Sequence, residues 1–274
     1  RLVRGPRLMR DWQGAFRYSA PGWLPEIYGR TGLRGAIYGL RFRALQRKLR
    51  TEGVSPAIYY VWHPDHQQDV EKLVGSPLVY HAYDRYERYT DAEAGVRRRE
   101  TSLIQRAELC VAASVELGNH LTSLGARRVV VLRHGVDVHL FRPGLVPQPE
   151  LKAVPGPRLG LVASLSDAVD VAALLRIARE RPNWSLVIVG GASFTSPHKA
   201  RIFDELEALP NVYHFGFRPR TEIPAWICGF DVALTCYDLS TWAPYNQPLK
   251  MYEYLGCGVP VVSTDITAAR ELGD

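Results

Sequence analysis

Pro248-Leu249-Lys250-Met251-Tyr252-Glu253-Tyr254-Leu255-Gly256-Cys257-Gly258-Val259-Pro260-Val261-Val262-Ser263 is the stretch that decides the fold. A proline suited to a first helical turn precedes good helix formers, glycines stop them, and a short β-branched apolar run follows. That helix-to-strand step recurs back along the chain. Strands are expected at Ala57 to Val61, Pro77 to His81, Leu109 to Ala113, Val129 to Leu132, Leu159 to Ala163, Leu186 to Gly190, Val212 to Phe215, Val232 to Thr235 and Pro260 to Ser263. Helical spacing falls between them at Ala92 to Ala107, Val115 to Leu124, Val171 to Glu180, Ala200 to Leu209 and Leu249 to Leu255. Short buried strands alternating with helices imply an α/β fold of β-α-β units with parallel sheets.

The alternation breaks at 143–158, where Pro143, Pro147, Pro149, Pro155 and Pro157 oppose regular structure. The expected organisation is two Rossmann-like, doubly wound domains, residues 1–142 and 159–274, joined by a Pro-rich linker at 143–158. Ligands would lie at the carboxyl ends of the strands, in a cleft between the domains. The chain does not open on Met and stops in a helix-like segment, Thr267 to Leu272, so it reads as a fragment with both domains incomplete.

With 274 residues, 46% hydrophobic and 23% charged, the chain can bury two cores. No run reaches the roughly 18 to 20 apolar residues that span a bilayer, and no leader with a cleavage site opens it, so a cytoplasmic location is expected. Cys110, Cys228, Cys236 and Cys257 lie far apart, as neither a disulfide framework nor a zinc knuckle would have them. His134 and His139 form no H-E-x-x-H, and no metal is expected.

The net charge is +6, and the excess sits at the front: Arg1, Arg4, Arg7, Arg10, Arg17, Arg30, Arg34, Arg41, Arg43, Arg47, Lys48 and Arg50 against Asp11 and Glu26. Tyr38, Phe42, Leu45 and Leu49 recur there at helical steps. A basic amphipathic helix either covers a sheet or touches the inner face of the cell membrane peripherally.

A nucleoside diphosphate is bound by N–H groups at a helix N-terminus, a cation for the phosphates and a carboxylate for the ribose hydroxyls. Pro248 to Gly258 supplies these in order, with Lys250 and Glu253 three residues apart on one face. The bland alternative is a weak surface ion pair between those two.

Pro248 to Thr264 resembles the donor-site signature of GT-B glycosyltransferases, in the large retaining family 4 (group 1), and most closely members that build bacterial cell-surface polysaccharides. Four further segments agree in order. Glu100 to Ser114 resembles the family's "E…aDlvvvaS", and Arg133-His134-Gly135-Val136-Asp137 through Phe141-Arg142-Pro143 resembles its "NGVD…F.P". Leu159 to Gly191 resembles its first donor-domain β-α-β, and Pro210-Asn211-Val212 through Gly216 its "lpNVhflG". The likeness covers roughly residues 77 to 274.

The resemblance implies a metal-independent, hexosyltransferase-type enzyme without a cofactor. It would move a sugar from a nucleotide-sugar donor to a saccharide or lipid-linked acceptor, without nucleic acid. Glu253 would hold the ribose, while Lys250, Tyr245, Asn246, Gln247, Pro248, Leu249 and Ser164 would surround the donor. Tyr245 stands where many members carry a first glutamate. Ser164-Leu165-Ser166-Asp167 stands where many carry Arg and Lys, which shifts phosphate binding onto Lys250. His81, Asp84 and Tyr86, after a strand ending near Tyr80, would face the acceptor, with His81 or Asp84 as a candidate base. A dinucleotide-dependent oxidoreductase and a noncatalytic basic binding module are the competing functions.

Overall fold

The computed structural model of the chain describes residues 7–10, 16–19, 34–54, 57–70, 76–88, 95–240 and 247–273. The chain divides into two compact units, Arg1–Leu132 and Arg133–Asp274.

The first unit opens with an antiparallel pair, β1 (Arg7–Arg10) and β2 (Phe16–Ser19). It continues with α1 (Arg34–Thr51), β3 (Tyr59–Val61), α2 (Gln67–Val70), β4 (Leu78–Ala82), α3 (Val96–Arg106), β5 (Leu109–Ala112), α4 (Val115–Ser123) and β6 (Val129–Val131). Strands β3 to β6 form a parallel sheet in sequence order. Its core joins Tyr80, Ala82, Cys110 and Ala112 of the sheet to Leu103 and Ile104 of α3 and Leu117 and Leu121 of α4. Ser114 caps α4, its Oγ accepting from Leu117 N–H at 3.1 Å. Phe42 of α1 packs on the same core, so part of that helix's apolar stripe is used inside the protein. Glu100, 1% exposed, accepts from the Tyr80 hydroxyl at 2.7 Å, and burial raises its carboxyl to about 7.

The second unit contains β7 (Arg158–Val162), α5 (Val171–Glu180), β8 (Ser185–Val189), α6 (Pro197–Glu207), β9 (Val212–His214), α7 (Ile223–Ile227), β10 (Val232–Thr235), α8 (Leu249–Gly256), β11 (Val261–Ser263) and α9 (Thr267–Gly273). Its sheet is parallel, in the order β11-β10-β7-β8-β9. The chain starts in the middle, winds outward through β8 and β9, and crosses back to the other side of β7. This is a doubly wound sheet whose order reverses between β7 and β10.

β8 explains how the layers are held. Leu186 and Ile188 join a core with Leu174 of α5 and Leu206 of α6, while Val187 and Val189 join Trp226 of α7 and Tyr254 of α8. Successive side chains point to opposite faces, so a strand covered on both sides must be apolar throughout. Tyr254 adds a polar tie, its hydroxyl accepting from Val162 N–H at 2.8 Å, which fixes α8 to the end of β7.

The stretch expected to be a linker belongs to the second unit, which begins at Arg133 and not at residue 159. Phe141, Leu151 and Val154 are at most 2% exposed and share a core with Trp226 and Tyr254. Pro149–Ala153 makes a 3-10 turn. The prolines prevent longer helices and strands but leave the apolar side chains between them able to pack.

Candidate functional site

Helix α8 starts and stops for identifiable reasons. Pro248 is its N-cap, one position before the first-turn place expected, and offers no side-chain cap. The first-turn N–H groups thus present the positive end of the dipole with no acceptor from the N-cap side chain. Gln247, just before the cap, is 5% exposed, and its Nε2 has no hydrogen-bond partner among the described residues. At the other end Gly258 adopts φ +76°, with Gly258 N–H bonded to Leu255 O at 2.9 Å and Val259 N–H to Tyr254 O at 3.0 Å. Both bonds define a Schellman stop, which needs a residue free to take positive φ.

Glu253 lies one turn into α8 with its side chain only 10% exposed, and its Oε1 is 2.8 Å from Nη2 of Arg220. It therefore makes its ion pair outside its own helix and not with Lys250. Glu253 and Arg220 line a cavity of about 270 Å³ together with Ser164, Gly190, Arg218 and Ile223. This cavity sits at the carboxyl ends of β7 and β8, where ligands of doubly wound sheets bind. Gly190 lets these ends approach, since a Cβ there would lie 1.8 Å from the Ala163 carbonyl oxygen.

Lys250 is half-buried, with its ammonium 5.3 Å from the centre of the Tyr237 ring. Burial pushes the ammonium down to about 8, against an upward pull from Glu253. Leu249 is exposed and Pro248 buried at the same helix start. Tyr245 and Asn246 lie outside the described residues.

The loop after β7 contains no cation of its own, but one reaches it from α6. Lys199 Nζ is 2.6 Å from Asp238 Oδ2 and also donates to the carbonyl oxygens of Asp167 and Val169. This ammonium ties together the loops that follow β7 and β10. Lys199 and Arg220 were missed in the sequence because each acts far along the chain from its partner, Asp238 and Glu253. For Arg220 the available signal was a cation shortly after the strand Val212–His214.

In the first unit, β4 runs to Ala82, so His81 lies within the strand and not after it. It is 6% exposed, its Nδ1 meets the Tyr60 hydroxyl, and its ring is 4.3 Å from that of Tyr83. Asp84 follows the strand, half-buried. Burial first, and then the Asp84 carboxylate, raise the phenol of Tyr86, whose hydroxyl donates to Trp62 O at 2.7 Å. Among the described residues no three His, Cys, Asp or Glu gather as a metal site, and all four cysteines are free thiols.

Two parallel α/β units, the second doubly wound, are the architecture of the GT-B class of fold. Residues 157–274, within the second unit, match the family described as Glycosyl transferases group 1. The chain is 28% identical over 186 residues to TuaH of Bacillus subtilis, assigned as a teichuronic acid biosynthesis glycosyltransferase; the match covers 65% of this chain and 45% of TuaH. Among solved structures, Anabaena HepE in complex with UDP and glucose is similar at TM-score 0.63 and 20% identity, covering 84% of this chain and 65% of HepE. Sucrose-phosphate synthase of Thermosynechococcus elongatus is similar at TM-score 0.69 and 13% identity, covering 88% of this chain and 63% of that one. The chain thus spans about half the length of the curated relative.

Proposed function

We propose that this chain is the nucleotide-binding part of a glycosyltransferase that moves a sugar, with retention, from a nucleoside diphosphate sugar to a saccharide or lipid-linked acceptor in cell-envelope polysaccharide synthesis. The observation that carries the proposal is the buried carboxylate of Glu253 set one turn inside a helix whose N-cap is a proline with no capping side chain. In such a site the carboxylate accepts the ribose hydroxyls. The diphosphate lies against the first-turn N–H groups, with Gln247 Nε2 and Lys250 as further donors. As the bond to the sugar breaks, negative charge grows on the departing diphosphate, and the helix dipole and Lys250 stabilise it there. These groups supply the positive charge without a metal. The names of TuaH and HepE support the sugar-polymer context and a uridine donor. His81 and Asp84 are the acceptor-side candidates, with Asp84 the more accessible.

Lys250 gives a pH-dependent test. Its ammonium, lowered to about 8, is partly deprotonated near that pH, and a bound diphosphate draws it back to the charged form. Binding therefore takes up a proton at and above that pH, approaching about half a proton at the midpoint. Calorimetric titration of the protein with UDP, ADP and GDP, in buffers of different ionisation heat, measures both affinity and uptake. Lys250→Met should remove the uptake. Absence of binding to all three diphosphates defeats the proposal.

Among the described residues no helix is long and apolar enough to cross a membrane. The proposed membrane contact is peripheral, through Arg41, Arg43, Arg47, Lys48 and Arg50 on α1. The protein should float with phosphatidylglycerol vesicles at low salt and lose that association above about 0.5 M salt. Equal flotation with neutral vesicles contradicts it.

A further inference from the structure

Arg220 is placed to do more than balance charge. It lies in the loop between β9 and α7, with 63% of its side chain exposed, yet it reaches the nearly buried Glu253 at 2.8 Å. Its guanidinium is 5.1 Å from the centre of the Phe141 ring, and Phe141 is 1% exposed. The cation is therefore braced by a fixed aromatic side chain while it holds a fixed carboxylate oxygen. Arg218, two residues earlier, is turned instead toward Trp226, 5.4 Å from its ring, so the two arginines have separate jobs.

An ionised carboxylate has about four acceptor positions on its two oxygens. Arg220 pairs with Oε1, which leaves acceptor positions for hydroxyl groups from a ligand in the adjoining cavity. A glutamate carboxylate left to itself rotates about its terminal bond and must be ordered when a diol binds. A close ion pair with a braced guanidinium reduces that freedom beforehand.

We propose that Arg220 is a specificity-determining positioning residue: by clamping Oε1 of Glu253 it presents the carboxylate to both hydroxyls of a ribose, and the preference of the site for ribose over 2′-deoxyribose nucleotides passes through it. The inference rests on the donor-site assignment of Glu253 made above. It adds a residue that does not itself touch the nucleotide, and a discrimination that charge neutralisation alone would not produce.

The test compares wild type, Arg220→Met and Arg220→Lys by calorimetry. Each is titrated with whichever of UDP, ADP and GDP binds wild type most tightly, and with its 2′-deoxy counterpart. Wild type should prefer the ribonucleotide by about tenfold or more, the worth of a hydrogen bond to a charged acceptor. Arg220→Met should lose most of that preference, with ribonucleotide binding weakened more than that of the deoxynucleotide, which has only the 3′-hydroxyl to lose. Arg220→Lys, which keeps the charge but not the planar fork, should recover part of it. Arg220 is largely exposed, so both variants should unfold within a few degrees of wild type. Equal weakening of both nucleotides in Arg220→Met overturns the inference, as does an unchanged preference. If wild type binds no nucleoside diphosphate at all, the donor-site assignment itself fails and takes the inference with it.

Discussion

Replacing Glu253 with alanine should lower affinity for the preferred nucleoside diphosphate by about a hundredfold or more. Each hydrogen bond from a ribose hydroxyl to a charged acceptor contributes roughly 1.5 to 3 kcal/mol, so losing two removes at least about 3 kcal/mol, a factor of more than a hundred. The fold should tolerate the change, because the partner left behind, Arg220, is 63% exposed and can be hydrated. Calorimetry on wild type and Glu253→Ala, with an unfolding curve for each, separates the two effects. An affinity within twofold of wild type would falsify the ribose role of Glu253.

The second large effect belongs to Gly190. It has φ +145°, and a Cβ there would lie 1.8 Å from the carbonyl oxygen and 2.6 Å from the carbonyl carbon of Ala163. Those atoms are backbone at the end of β7, locked into the sheet through Ala163 N–H to Val189 O at 3.0 Å, so neither side can move cheaply. Gly190→Ala should cost about 3 kcal/mol or more of stability and damage nucleotide binding too, because the cavity is built on these strand ends. Gly191→Ala is the matched control. A Cβ at that position meets nothing within 4 Å, and the change should cost less than about 1 kcal/mol. Urea unfolding of the two variants decides the matter. Indistinguishable midpoints would show that the backbone relaxes around Gly190.

Much of this was legible because local signals and tertiary needs agree. Helix α5 spans Val171–Glu180 as expected, since Asp170 caps it, its Oδ1 accepting from Ala173 N–H at 2.9 Å, and an apolar stripe faces the sheet. The stop of α8 was readable because Gly258 supplies the positive φ that a Schellman turn requires. What was not legible depends on distant partners. Nothing near Leu151 or Val154 announces that they meet Trp226, so a proline-rich run looked like a linker. The spacing of Lys250 and Glu253 suggested a helical ion pair, whereas the partner of Glu253 comes from a different loop and Lys250 turns to Tyr237. His81 was expected beyond a strand end, but pairing with β5 continues to Ala82 opposite Ala112 and draws it into the sheet. The cations lining the cavity, Arg218 and Arg220, come from the loop after β9, brought there by the winding of the sheet.

The most direct test of a donor site at α8 is a crystal structure of the protein with its tightest-binding nucleoside diphosphate. The expected result has both ribose hydroxyls within hydrogen-bond distance of Glu253 and the diphosphate against the first turn of α8 near Lys250. A nucleotide bound elsewhere, with Glu253 still paired with Arg220, would contradict it.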